Sequence, residues 1–85
     1  MTFKVDDSQW AFGDVSKESL TVDYGTTYTL SGDSIVFGRF GGVGAIATDT
    51  RYQFDYWTVN KQVIVSDGVV HSDMEFVAHF KIIGN

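Results

Sequence analysis

Apolar and polar residues alternate along most of this chain with a period of two, the pattern of half-buried β-strands. In TFKV (2–5), Phe3 and Val5 share a face before DDSQ interrupts the run. In WAFGDVS (10–16), Gly13 and Asp14 permit a bulge or a tight bend. SKES reads as a turn, or as one short helical turn capped by Ser16. SLTVDYGT alternates with Leu20, Val22 and Tyr24 inward and Thr21 and Asp23 outward, until Gly25 breaks it. TYTLSGDSIVFG predicts a hairpin, with Tyr28, Leu30, Ile35 and Phe37 inward and a turn at SGDS. GRFGGVG (38–44) is the least regular segment, and VGAIATD predicts a short strand. YQFDYWTV (52–59) is the longest aromatic strand, and Asn60 and Lys61 turn it into QVIVS. SDGVVHSD holds two more turn signals. MEFVAHFKII closes the chain, with Met74, Phe76, Ala78, Phe80 and Ile82 on one face. Glu75, Val77, His79 and Lys81 form an opposite face that reads as solvated.

No window carries a helical stripe, and about six to eight short strands with turn signals roughly every 8–12 residues predict an all-β domain. The expected form is a small single-domain sandwich or open barrel over residues 1–85, mainly antiparallel. One strand breaks the rule of alternation. Phe54 and Trp57 are three positions apart, and a regular strand puts such residues on opposite faces. Either one large aromatic faces water or the strand is bulged.

Composition narrows the function classes. The formal net charge is −5 and the six basic residues are scattered. Duplex binding depends on Lys and Arg neutralising phosphates, so nucleic acid is not an expected partner. The same imbalance disfavours an anionic membrane surface, and no run approaches the roughly 20 apolar residues of a spanning helix. MTFKVDDSQW has no apolar stretch of the kind a secretory signal carries. With no cysteine there is neither a disulfide nor a thiolate, so stability must come from packing of two Trp, four Tyr and seven Phe.

The order of the segments resembles the internalin-type B-repeat group, also described as the Listeria–Bacteroides repeat. A G-x-V opening is matched by Gly13, Asp14 and Val15, and a V-x-Y-G-T strand end by Val22, Tyr24, Gly25 and Thr26. A Y-x-F-x-x-W core strand is matched by Tyr52, Phe54 and Trp57. A closing V-x-x-D-M-x-x-x-A-x-F is matched by Val70, Asp73, Met74, Ala78 and Phe80. The match spans about residues 12–80, leaving 1–8 as an N-terminal strand or arm; the Gly common before the family's Trp is Tyr56 here. The resemblance implies a β-grasp-like module of a surface protein, a spacer or adhesion unit without catalysis or cofactor. It also implies a bulge near Asp55 and Tyr56 that turns Phe54 and Trp57 both inward, near αR because no Gly is present.

Constellations with chemical potential are few. GRFGGVG lacks the Lys, the Ser or Thr and the following helix of a phosphate-cradling loop. Asp67 and Asp73 do not build the oxygen-rich loop that calcium needs, and His71 and His79 alone are too few for zinc. Ser, His and Asp are present without the spacing of a nucleophile elbow. The chain therefore reads as a non-enzyme with no cofactor and no metal. Leu20, Val22, Tyr24, Phe54, Trp57, Phe76 and Phe80 are the expected core, with Trp10, Phe12 and Tyr28 also read as core aromatics. Arg39, Phe40, Tyr52 and Tyr56 are the candidate partner-binding residues. Three functions remain open: a structural or adhesion module of a cell-surface or virion-surface protein, a free-standing virion decoration or assembly protein, and a carbohydrate-binding module. A protein partner or self-association fits the first two, the second through the edges TFKV and FKII; exposed aromatics would carry the third.

Overall fold

Two tight hairpins frame the chain, which a computed structural model describes over residues 1–84. Strands β3, Thr27–Ser31, and β4, Ser34–Phe37, are joined by Gly32 and Asp33, with Gly32 at φ +60°. Strands β6, Tyr52–Val59, and β7, Gln62–Val63, are joined by Asn60 and Lys61, at φ +48° and +72°. Positive φ at both central residues is the requirement of a type I′ turn, whose twist matches that of the flanking strands. Asn60 also closes onto the last strand, donating its N–H to the Glu75 carbonyl and accepting the Glu75 N–H at its side chain.

The remaining strands are β1, Thr2–Val5, β2, Gly13–Val15, β5, Gly42–Ala47, β8, Gly68–Val69, and β9, Glu75–Ile82. They form two sheets, one ordered β1-β9-β6-β7 and the other β2-β5-β4-β3-β8. The fold is all-β, and neither sheet closes into a barrel. Two short 3₁₀ turns, Asp7–Gln9 and Gly38–Phe40, are the only helical pieces among the described residues. None is long or apolar enough to cross a membrane.

Every pairing is antiparallel except β1 with β9. β1 is therefore integral to the fold. Its Phe3 stacks on Phe76 at 5.3 Å, and Phe37 of the opposite sheet meets both rings edge-on at 5.7 and 5.5 Å. Residues 12–80 alone would lack that central ring. Where β1 ends, Gln9 takes over its role and accepts the Phe80 N–H at 2.7 Å. Gly13 has no room for a side chain, because a Cβ there would enter the Phe80 ring.

The odd aromatic spacing is resolved in β6. Phe54 pairs with Phe80 and Tyr56 with His79, so Asp55 has no partner and the register shifts by one. This bulge puts Phe54 and Trp57 on the same inner face, with rings 5.6 Å apart. Neither Asp55 nor Tyr56 has positive φ. Trp57 is 2% exposed, and its indole Nε1 has no hydrogen-bond partner.

Several sequence expectations need correction. Tyr24 is 77% exposed and Trp10 76% exposed, so neither belongs to the core. Leu20 and Val22 are half-buried against the core but lie on no strand, since only Ser19 of that run makes a bridge, to Thr2. Alternation defines two faces only where a ladder fixes the backbone, and here the chain runs on to a turn at Gly25. Ile82, the last residue of β9, is exposed. No helical turn forms at SKES. The strands number nine because QVIVS and SDGVV each contribute a two-residue piece.

Burial of Trp57 sets a test of stability. Trp57→Ala costs about 3–5 kcal/mol in urea unfolding, the usual range for emptying a core aromatic site. Trp57→Phe costs far less, because it also removes a buried N–H whose lack of a partner costs roughly 1–3 kcal/mol.

Candidate functional site

The outer face of the first sheet carries a cluster of polar side chains around His79. Past the bulge, Tyr56 and Thr58 of β6 point outward beside Val77 and His79 of β9. His79 stacks flat on Tyr56, with centroids 4.4 Å apart and planes within 8°. Its Nδ1 lies 2.9 Å from Asp6 Oδ2 and its Nε2 lies 3.0 Å from Thr58 Oγ1. The expectation of a solvated His79 is thus corrected. It is half-buried because the 3₁₀ turn after β1 brings Asp6 over it, a contact that no local pattern contains.

Asp6 is the cap of that turn. The Ser8 backbone N–H donates to Oδ1 at 2.9 Å and the Ser8 hydroxyl at 2.8 Å. These two bonds, in that order, and then the His79 ring hold the Asp6 carboxyl below the ordinary value of 3.8, outweighing partial desolvation. An ionised carboxylate only accepts, so the facing Nδ1 donates its proton to Oδ2. In the neutral ring Nε2 then accepts from the Thr58 hydroxyl.

Asp6, His79 and Thr58 stand in the order of a hydrolytic triad. The surroundings differ from one. Thr58 is 8% exposed and sits in mid-strand, paired with Val77. A nucleophile needs an open approach and free N–H donors for the oxyanion. The groove beside it measures about 450 Å³ and is lined by Lys4, Asp7, Lys61, Val63 and Glu75 among others. What the arrangement does is tie β6, β9 and the end of β1 together. No group of three or more His, Asp or Glu capable of holding a metal occurs among the described residues.

The expected partner-binding residues do not share a face. Tyr52 stacks on Phe12 at 4.4 Å, on the inner side of β6. Phe40 packs against the core, with the exposed Arg39 guanidinium 5.2 Å from its ring. Tyr56 alone lies on the outer face, 37% exposed. The flat aromatic platform expected for a glycan is not built from these residues, because the bulge sends Tyr52 and Tyr56 to opposite sides. Phe54, Phe76 and Phe80 lie in or against the core as expected.

The sheet margins carry the less predictable features. The TFKV edge is covered: the Phe3 N–H donates to the Glu18 carbonyl and the Leu20 N–H to the Met1 carbonyl. β7 is open. Ile64 extends it by donating to the Trp57 carbonyl at 3.1 Å, so the even residues face β6 and the odd ones face away. Among the described residues, the N–H groups of Val63 and Val65 have no partner. Their side chains are 59% and 86% exposed. Apart from Lys61 no charge guards this edge before Asp67, although natural edges are commonly blunted by charge, Pro or a cover. The run QVIVS was legible as a strand; that it lies outermost follows only from the sheet order.

No family model, curated protein or solved structure matches this chain.

The Asp6 contacts give a pH-dependent expectation. A carboxyl whose value is lowered on folding contributes stability that is full above its unfolded value and lost as pH falls through its folded one. Asp6→Asn keeps an acceptor for Ser8 but removes the charge. Wild type should therefore unfold at higher urea than Asp6→Asn at neutral pH, and the gap should close in acid well below 3.8. A gap of unchanged size in acid would contradict the assignment.

Proposed function

We propose that this chain is a non-catalytic structural and adhesion module that binds protein by adding a strand to its open edge at residues 62–65. The observation that carries the reading is the unpaired outer side of that edge, with Val63 and Val65 both exposed and their N–H groups free. Main-chain bonds to an added strand would satisfy those groups, and the exposed β-branched side chains would give the contact its selectivity. The two-sheet core supplies the rigidity such a unit needs, since aromatic rings from both sheets interlock across it.

The setting, a cell-surface or virion-surface protein, rests on the B-repeat resemblance. The residues that carry it have distinct physical roles. Gly13 leaves room for the Phe80 ring, Gly25 takes φ +86° at a turn, and Trp57 fills the core beyond the bulge. A spacer and a virion decoration protein make the same use of an open edge, and both fit this arrangement.

Amide hydrogen exchange on dilute protein tests the reading, with an extended peptide of alternating Thr and Val as probe. Protection should rise at Val63 and Val65 and stay unchanged at the covered edge around Phe3. Protection elsewhere, or none at any peptide concentration, would remove the edge from consideration.

A further inference from the structure

Trp10 is exposed, yet the backbone on both sides of it is firmly held. Gln9 is fixed twice: its side chain accepts the Phe80 N–H at 2.7 Å, and its carbonyl accepts the Phe12 N–H at 2.9 Å. On the other side, the Thr48 hydroxyl lies 3.0 Å from the carbonyls of both Ala11 and Phe12. The Thr48 N–H also donates to the Phe12 carbonyl at 2.9 Å. An indole displayed on a fixed turn is preorganised, so a ligand that stacks on it orders little backbone. Among the described residues, no other aromatic ring and no guanidinium lies against that indole.

The indole lines a groove of about 690 Å³ between β1 and β2. β1 and β7 are the two margins of the first sheet, so the groove lies at the margin opposite the open edge. Its charged lining is Asp14, Glu18 and Lys4. Lys4 is engaged, with Nζ 3.4 Å from Asp7 Oδ1. Lys17, next to Glu18 in sequence, has its Nζ beside Gly41 instead. Asp14 Oδ1 accepts the Val15 N–H at 2.8 Å, which fixes the carboxylate and leaves Oδ2 to accept from a ligand. The Glu18 carbonyl accepts the Phe3 N–H, which ties that residue to β1 while its side chain stays exposed. The groove thus offers an aromatic face and two carboxylates whose neighbouring lysines are turned elsewhere.

We propose that this groove binds an arginine side chain of a partner protein, the guanidinium stacked on Trp10 and its N–H fork directed at the Asp14 and Glu18 carboxylates. The indole marks the site, and the charge decides its occupant. A planar guanidinium meets both demands at once, because it stacks on an aromatic face while donating in its own plane to carboxylates. A lysine ammonium supplies the charge without the plane. A neutral sugar supplies a face without the charge. The net charge of −5 draws a basic segment toward this surface, and Trp and Arg are among the residues that dominate interface energetics. The site is independent of strand addition at residues 62–65.

A single side chain binds weakly, on the order of millimolar, so the test is an NMR titration of isotope-labelled protein. The probe is a blocked Gly-Arg-Gly peptide, compared with its lysine and citrulline counterparts and with cellobiose. Citrulline keeps the shape of arginine and loses its charge. The arginine peptide should shift the Trp10 indole N–H and the Asp14 and Glu18 amides saturably, leaving the Trp57 indole and the Val63 and Val65 amides in place. The lysine peptide should bind more weakly, citrulline and cellobiose should leave these signals unmoved, and added salt should weaken the arginine peptide. Trp10→Ala should lower its affinity by roughly three- to thirtyfold. Asp14→Asn combined with Glu18→Gln should lower it by about two- to tenfold. All three side chains are exposed, so thermal melts should show the fold intact. Citrulline binding as tightly as arginine, cellobiose binding in its place, no saturable shift, or folded variants of undiminished affinity would each overturn the proposal. The comparison of probes on wild type decides it even where a variant does not fold.

Discussion

One extra residue in one strand organises this molecule. Strands present side chains to alternate faces, so the three-position spacing of Phe54 and Trp57 cannot serve one core without an insertion. Asp55 is that insertion. Before it, Phe54 faces Phe80; after it, Trp57 and Val59 face Ala78 and Phe76, all toward the opposing sheet. The same step turns Tyr56 and Thr58 outward, where they meet His79. A single shift thus decides both the dry interior and the polar cluster on the outer surface. Because register slips flip whole faces, removing Asp55 would exchange the two environments for every residue on one side of it.

The second constraint is how the margins are finished. β1 is protected on both sides, by β9 and by the backbone around Ser19, and the Gln9 side chain extends its ladder. β7 is left open. The contrast matters because unpaired edges are where β proteins recognise strands or aggregate. In this chain the open edge carries two exposed valines, Val63 and Val65, before the chain bends at Ser66 toward the other sheet.

Much of this was legible in the sequence where local chemistry and ladder geometry agree. The hairpin at Gly32 and Asp33, the turn at Asn60 and Lys61 and the inward row of Phe76, Ala78 and Phe80 follow from turn residues and alternation. The period alone leaves two outcomes for Phe54 and Trp57, an aromatic in water or a bulge, and the ladder decides for the bulge. What failed did so for lack of a partner strand: Leu20, Val22 and Tyr24 alternate perfectly but belong to no ladder, and Tyr24 ends in water. Trp10 has the size of a core aromatic, yet it follows a 3₁₀ turn and is exposed. The Asp6–His79 contact joins residues far apart in sequence, and nothing local announces it.

The central claim is that the bulge buries Trp57. The most direct measurement is acrylamide quenching of tryptophan fluorescence in the Trp10→Phe variant, which leaves the indole of Trp57 as the sole emitter. Emission at short wavelength with quenching that stays weak until the protein unfolds is the predicted result. A long-wavelength emission quenched as readily as free indole in the folded protein would contradict it.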